Sequence, residues 1–269
     1  MRQRSSRARL LASVAVTAIF AAGLGGCQTM SDVTGSIASK TTASAEADPH
    51  QAAEVAGERY RADPKSAEAA LAYGQALRAS GQRSQAAAML EQATIAHPGD
   101  KALLAAYGRA LVDNGNFQQA LDVLGRAHSP ENPDWRILSV EGTAFDQLGR
   151  HDEARRYYAS ALKIAPGEPS VLSNLGLSYM LSKDLPKAEE VLRQAYASGK
   201  ADARVRQNLA LVIGLQGRFA EAEQIVRADL PPEEAAANVA YLKQMLSRKD
   251  DPRTARAGKL PVASLTRPE

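Results

Sequence analysis

A glycine recurs every 34 residues through the middle of this chain, and the surrounding sequence repeats with it. The glycines occupy position 8 of each copy, at Gly74, Gly108, Gly142 and Gly176, and Ala210 takes the same place in a fifth copy. Position 20 of every copy is alanine, and position 24 is a large apolar residue. A self-similarity of this length is typical of a unit of two antiparallel helices that stacks into an array.

The spacing is what two closely packed helices require. With about 3.6 residues per turn, positions 4, 7, 8 and 11 form one face of the first helix, and positions 20, 24 and 27 form one face of the second. Small residues at positions 8 and 20 remove bulk where the helix axes come nearest, while larger residues interdigitate on either side. Because one pair cannot bury its apolar face alone, the sequence predicts an all-α array whose neighbouring pairs share a core.

Turn and cap residues repeat with the same period. Position 34 is acidic between copies, which suits the cap of the next first helix, and position 15 is glycine in four copies, which suits the left-handed residue that ends the first helix. In the fourth copy Lys183 replaces this glycine and no proline closes the copy, so we expect a less regular turn there. Pro98, Pro133 and Pro166 are expected to end the second helices.

These positions resemble the consensus of tetratricopeptide repeats (TPR), in which positions 8, 20 and 27 are small. In the first copy they are Gly74, Ala86 and Ala93, and the third copy matches equally well. The resemblance implies a right-handed α-solenoid with five repeats over residues 66–234, preceded by a capping half-repeat, 48–65, and followed by a capping helix, 235–247. In that helix we expect an apolar stripe over the last repeat, formed by Asn238, Tyr241, Leu242, Met245 and Leu246.

The first residues of the chain have the pattern of a signal peptide, predicted over 1–26. Four arginines precede an apolar run that ends in Leu24-Gly25-Gly26-Cys27. These four residues resemble the bacterial lipobox, in which the cysteine becomes the lipidated first residue of the mature protein. Cys27 is the single cysteine, so it cannot form an internal disulfide. The alternative is a thiol in an uncleaved membrane anchor, although the apolar run is shorter than the roughly 20 residues of a span.

Acylation at Cys27 would tether the protein permanently to a lipid bilayer, because several fatty-acyl chains bind far more strongly than one. Gln28 follows the cysteine where lipoproteins of the inner membrane often have aspartate, so the resemblance favours the outer membrane, with the repeats facing the periplasm. Residues 27–47 are rich in Ser, Thr and Ala and are predicted to be a disordered tether. The proline-containing end, 248–269, is predicted to be a disordered tail, with a docking peptide as the alternative.

The basic charge of the chain lies mostly at its ends. The full chain carries +3, and removal of 1–26 takes away four arginines and no acidic residue, which leaves −1. Binding to nucleic acid requires a concentrated basic surface, so the sequence argues against it. The four histidines have no metal-ligand spacing, and neither a phosphate-binding glycine loop nor a nucleophile elbow is present. The sequence therefore predicts no catalytic residues, no metal site and no cofactor.

A protein-binding groove is the remaining functional prediction. In the TPR family the first helices face a concave groove, mainly through positions 2, 5, 6, 9, 12 and 13. A solvated helix face is the alternative for each arginine in this set, and position 5 is never lysine, so a clamp for a peptide carboxylate is incomplete. The candidate groove residues are Arg78, Arg109, Asp113, Arg136, Asp146, Asn174, Leu177, Met180, Arg204, Asn208, Leu211 and Leu215.

A narrower resemblance concerns the segment from Asp229 to Leu246, which is similar to the C-terminal segment of the TadD-type TPR lipoproteins of tight-adherence (Tad/Flp) pilus systems. The resemblance implies an assembly factor that helps the outer-membrane secretin to form or localise, with the secretin or other Tad components as partners. The alternative is another periplasmic TPR adaptor, which recruits cell-wall enzymes or supports outer-membrane protein assembly.

Overall fold

The computed structural model describes residues 48–249, and this part of the chain is a helical array. The elements in chain order are α1 (Pro49–Ala62), α2 (Ala67–Ala79), α3 (Arg83–Ala96), α4 (Lys101–Asp113), α5 (Phe117–Ala127), α6 (Trp135–Gln147), α7 (His151–Ile164), α8 (Pro169–Leu181), α9 (Leu185–Ala197), α10 (Ala203–Leu215), α11 (Phe219–Val226) and α12 (Pro232–Lys249).

The helices stack in two layers. Helices α2 to α11 form five antiparallel pairs, and each pair packs against the next. Successive first helices also contact one another, from α2 to α4 and onward to α10 and α12. Within the described residues, the backbones of neighbouring second helices lie farther apart, and long side chains such as Arg193 of α9 and Glu221 of α11, whose N–O distance is 2.5 Å, bridge them. The first helices therefore form the inner, more closely spaced layer. This arrangement is an α-helical repeat solenoid, which confirms the predicted all-α fold class.

The capping prediction for the first helices is confirmed at all five starts. A side-chain oxygen at position 34, or at the equivalent Ser66, accepts a hydrogen bond from a backbone N–H in the first turn of the helix that follows. At Asp100, one carboxylate oxygen accepts from the N–H groups of both Ala102 and Leu103, at 2.9 and 3.0 Å. These caps satisfy donors that a helix start leaves without partners.

The glycine of position 8 accommodates the large side chain of position 24. A Cβ atom placed on Gly108 would lie only 2.4 Å from the Cγ and Cδ2 atoms of Leu124, and one placed on Gly142 would lie 2.5 Å from the Tyr158 ring. Leu124 and Tyr158 are almost completely buried. Position 8 must therefore be small because the position-24 side chain of the partner helix packs directly over it.

The turn at Lys183 is regular, so the expectation of an irregular turn there was wrong. Lys183 has φ 64°, close to the 76° of Gly81 in the first repeat. The hydrogen bond that closes the turn is also unchanged, since Asp184 N–H donates to Tyr179 O at 2.9 Å, as Gln82 N–H does to Leu77 O. A lysine can therefore fill the left-handed position, at the steric cost that a Cβ atom carries there.

Pro133 does not end its helix, contrary to the sequence prediction. Helix α5 stops at Ala127, and a turn follows in which Asn132 N–H donates to Ser129 O at 3.1 Å. The cause is Pro130, because a proline disfavours helical backbone at the residue before it and cannot donate a backbone hydrogen bond. The shortened helix leaves a loop, 128–134, between α5 and α6.

The capping helix is out of phase with the repeats, so part of its predicted stripe was wrong. Helix α11 ends early, and α12 begins at Pro232, only 29 residues after the start of α10 at Ala203. The buried residues of α12 are Ala235, Val239 and Leu242. A Cβ atom on Gly214 would lie 2.5 Å from Leu242 Cδ2, so this leucine closes the last repeat. The other members of the predicted stripe are half-buried, at Leu246, or exposed, at Asn238, Tyr241 and Met245.

The predictions for the two ends concern other parts of the chain. The signal peptide 1–26, Cys27, the tether 27–47 and the tail beyond residue 249 lie outside the described residues. Within 48–249, none of the helices combines the length and the apolar composition that crossing a bilayer requires.

Candidate functional site

The inner surface of the first helices has a charged end at α2, α4 and α6. Arg78 Nε donates to Asp113 Oδ2 at 2.6 Å, and this ion pair joins α2 to α4. Arg109 and Arg136 have no ion-pair partner among the described residues. Burial lowers the pKa of Arg109, and the positive charges of Arg78 and Arg136 lower it further, while the nearby carboxylate of Asp134 partly offsets them. An unpaired, partly buried positive charge therefore lies at this end of the groove.

A pocket of about 380 Å³ opens beside these arginines. Its apolar part includes Leu71 of α2 and Ile137 of α6, and its polar part includes Lys101 and Arg109 of α4 and Arg136 of α6. The early end of α5 creates this space, since the loop 128–134 takes the place of a last helical turn. The polar lining residues that were missing from the sequence-based groove set include Gln75, Lys101, His128 and Asn132. The detectable signal was Pro130, which predicts a short helix and hence an irregular loop.

The buried carboxyl of Glu141 contacts His128, one of the residues that line the pocket. Glu141 lies at position 7 of its repeat, is 3% exposed, and places Oε2 3.2 Å from His128 Nε2. Burial raises the pKa of Glu141 to about 7 and lowers the pKa of His128. Both shifts favour neutral forms, so below pH 7 the protonated carboxyl can donate to the imidazole.

Asp146 is buried and does not line the groove, so its assignment as a groove residue was wrong. Its carboxylate accepts hydrogen bonds from the Tyr158 hydroxyl at 3.0 Å and the Ser178 hydroxyl at 2.8 Å, and it contacts His151 Nδ1 at 2.8 Å. Burial, with the nearby charge of Asp146, raises the pKa of Tyr158 well above its ordinary value. Asp146 therefore holds α6, α7 and α8 together.

The two asparagines of the predicted groove link successive first helices. Asn174 Nδ2 donates to Ser139 Oγ at 3.1 Å, and Asn208 Nδ2 donates to Ser173 Oγ at 2.9 Å. The serines are buried and the asparagines are half-buried. These amides therefore join helices within the inner layer. Arg204, another of the candidate groove residues, is exposed at the start of α10.

The other end of the inner surface is apolar. Leu177 and Met180 of α8 and Leu211 and Leu215 of α10 are partly exposed. Leu181, at position 13 of the fourth repeat, is 38% exposed and was missing from the sequence-based set. The groove therefore changes from basic at α4 and α6 to apolar at α8 and α10. Among the described residues, no cluster of three or more His, Cys, Asp or Glu side chains could hold a metal ion.

Family comparisons agree with this architecture. Tetratricopeptide repeat models match residues 106–169, 139–203 and 203–228. A model of subunit 3 of the anaphase-promoting complex, or cyclosome, matches residues 48–127. The molecule is thus a helical-repeat scaffold of the class that binds protein partners. The repeats that these models match are tetratricopeptide repeats.

Solved structures share the fold at low sequence identity. PilW, a widely conserved type IV pilus biogenesis factor, has a TM-score of 0.61 at 20% identity, with 72% of this chain and 91% of that chain covered. TTC0263, a thermophilic TPR protein of Thermus thermophilus, has a TM-score of 0.59 at 22% identity, with 66% and 100% covered. A chain of the APC/C hetero-tetramer Cut9–Hcn1 has a TM-score of 0.58 at 17% identity, with 73% of this chain and only 40% of that chain covered. Such identities show the fold alone, and no curated protein sequence matches this one.

Proposed function

We propose that this protein is a non-enzymatic scaffold that holds protein partners in the groove of its first helices. The observation that carries the proposal is the two-part inner surface, with Arg109 and Arg136 at one end and Leu177, Leu181 and Leu211 at the other. A groove with cations at one end and partly exposed apolar side chains at the other is suited to a polypeptide, which offers both kinds of group along its length.

We infer further that the partners belong to a Tad/Flp pilus system and that the protein assists secretin assembly or localisation. The support is the similarity of the segment from Asp229 to Leu246 to TadD-type lipoproteins. The fold likeness to the pilus biogenesis factor PilW is compatible with this assignment without identifying the partner.

We infer that acylated Cys27 anchors the protein in the outer membrane, with the repeats in the periplasm. The support is the arginine-rich start, the apolar run and the Leu24-Gly25-Gly26-Cys27 sequence. Growth with a fatty-acid analogue should label the native protein and leave Cys27→Ser unlabelled. Equal labelling of the two proteins would exclude acylation at this cysteine.

Deletion of the gene tests the pilus assignment. We expect loss of surface pili and of secretin multimers, with recovery when the wild-type gene is restored. Complementation with Leu211→Asp should fail, because a charge on the apolar half of the groove weakens partner binding, whereas Asp122→Asn, an exposed change on the second helix α5, should restore function. Normal pili and secretin in the deletion strain would refute the pilus role, and co-purification of murein hydrolases with the anchored protein would favour the cell-wall adaptor.

A further inference from the structure

The pocket beside α4 carries more positive than negative charge. Lys101, Arg109 and Arg136 line it, and Asp134 is the one carboxylate among the described lining residues. Asp134 is already engaged, since its Oδ1 accepts from Arg136 N–H at 2.7 Å as the cap of α6. The nearby Asp113 is engaged as well, by Arg78. The pocket therefore brings three cations together with one carboxylate, Asp134, whose charge offsets only part of theirs.

Arg109 is the member of this group with the least favourable surroundings. It is only partly exposed, and burial and the charges of Arg78 and Arg136 lower its pKa, although the carboxylate of Asp134 acts in the opposite direction. A partly buried guanidinium among like charges is destabilising unless an anion joins it, and a carboxylate matches the geometry of its N–H groups. The pocket thus favours a ligand that supplies negative charge between Arg109 and Arg136.

Part of the remaining lining is apolar, which distinguishes the pocket from a site for a small free anion. Leu71, Ala105 and Ile137 contribute aliphatic surface to the same pocket. A volume of about 380 Å³ holds several side-chain-sized groups. Residues of three successive first helices, α2, α4 and α6, line the pocket, and the layer of first helices continues to α8 and α10, so one polypeptide segment can contact both.

We propose that this pocket binds an acidic segment of a protein partner, with side-chain carboxylates of the segment between Arg109 and Arg136 and an adjoining apolar side chain against Leu71 and Ile137. The proposal rests on the proposed scaffold function and specifies the chemistry of the partner. Lys101 at the rim adds a further positive charge that steers an acidic segment towards the pocket.

Peptide binding to the full chain in detergent tests the proposal. The probe is a fluorescein-labelled octapeptide, Gly-Glu-Glu-Leu-Glu-Glu-Leu-Gly, with a blocked carboxyl terminus, and the matched control peptide has glutamine at each glutamate. Fluorescence anisotropy should show binding of the acidic peptide that is at least about tenfold tighter than that of the control, and weaker at high salt. Equal affinity for the two peptides would overturn the proposal, as would equal binding of a labelled oligothymidylate.

Variants of the chain locate the binding site. Arg109→Gln combined with Arg136→Gln should weaken binding of the acidic peptide by about tenfold or more, since two charge-assisted contacts are lost. Arg126→Gln, on the exposed side of α5, removes a positive charge outside the pocket and should leave the affinity unchanged. Equal loss in both proteins would show that net charge, not the pocket, drives the binding, and would overturn the proposal.

Capture of the native partner by the variants distinguishes failure of the pocket proposal from failure of the scaffold function on which it rests. If Leu211→Asp abolishes partner capture while the double arginine variant captures normally, the groove binds proteins and the pocket assignment is wrong. If none of these changes affects capture, the groove function itself fails. Two results together would support both the scaffold function and the pocket proposal. The double arginine variant should fail to capture the partner while its circular dichroism stays normal, and Arg126→Gln should capture the partner normally.

Discussion

Replacing Glu141 with glutamine should change how the stability of the protein depends on pH. Glu141 is 3% exposed, and its carboxyl lies 3.2 Å from His128 Nε2. Burial raises its pKa from 4.5 to about 7 in the folded protein. The folded state therefore holds this proton more tightly than the unfolded chain does. The resulting stabilisation is complete below pH 4.5 and is lost as the pH rises through 7.

The magnitude follows from the two pKa values. Ionisation of Glu141 costs the folded state about 0.8 kcal/mol at pH 5 and about 3.3 kcal/mol at pH 8, a difference of about 2.5 kcal/mol. Glutamine has the shape of the protonated carboxyl and can donate to the imidazole in the same way, but it does not ionise. Glu141→Gln should therefore resemble the wild type at pH 5 and exceed its stability at pH 8 by about 2.5 kcal/mol.

Urea unfolding followed by circular dichroism, at several values from pH 5 to pH 8, measures this difference. The lowered pKa of His128 also affects stability, but its contribution is largely common to both proteins and cancels in the comparison. Glu190→Gln, an exposed change on α9, is the control and should follow the wild type throughout. Parallel curves for the wild type and Glu141→Gln would show that Glu141 is already ionised in the folded state and would refute the reasoning.

Three further substitutions test the packing and the turns by urea unfolding. Gly108→Ala places a methyl group 2.4 Å from Leu124 atoms and should lower the free energy of unfolding by about 2 kcal/mol. Lys183→Gly removes the steric cost of a side chain at φ 64° and should raise the free energy of unfolding by about 0.5 to 1 kcal/mol. Asp146→Ala removes the nearest acceptor of the buried Tyr158 hydroxyl and the acceptor of the Ser178 hydroxyl, and should lower the free energy of unfolding by at least about 2 kcal/mol.

Each of these changes has a matched control in the same chain. Gly125→Ala lies in open space on α5 and should stabilise that helix, so equal destabilisation at Gly108 and Gly125 would contradict the packing account. Lys163→Gly, within helix α7, should destabilise the protein, because glycine is unfavourable inside a helix. If Lys183→Gly also lowered the stability, the explanation of the turn would be wrong. Asp122→Ala changes an exposed carboxylate and should have little effect, unlike Asp146→Ala.

The sequence predicts the fold well because the repeat period and the packing geometry have one cause. A glycine such as Gly108 must recur wherever a residue such as Leu124 crosses it, so a spacing in the sequence directly reports a contact in space. The caps are equally local, since Asp100 binds N–H groups two and three residues away. Features that depend on a few neighbouring residues are therefore predictable from the sequence.

The errors arise where helix length or side-chain burial departs from the average repeat. Pro130 shortens α5, and the pocket next to Arg109 results from a loop that a fixed 34-residue period does not contain. The short α11 shifts the phase of the capping helix, so Leu242 faces the core and Tyr241 does not. Asp146 has the position of a groove residue, but hydrogen bonds from two other helices hold it inside.

The contact pattern of the two layers limits how far a local disturbance can spread. Each first helix contacts only its own pair and the adjoining pairs, so no helix of one end holds the other end in place. The two halves of such an array can unfold independently, beginning at a terminal repeat, which has only one neighbour. A polypeptide ligand that contacts several first helices would couple their unfolding, so ligand binding should make thermal unfolding of the array more cooperative.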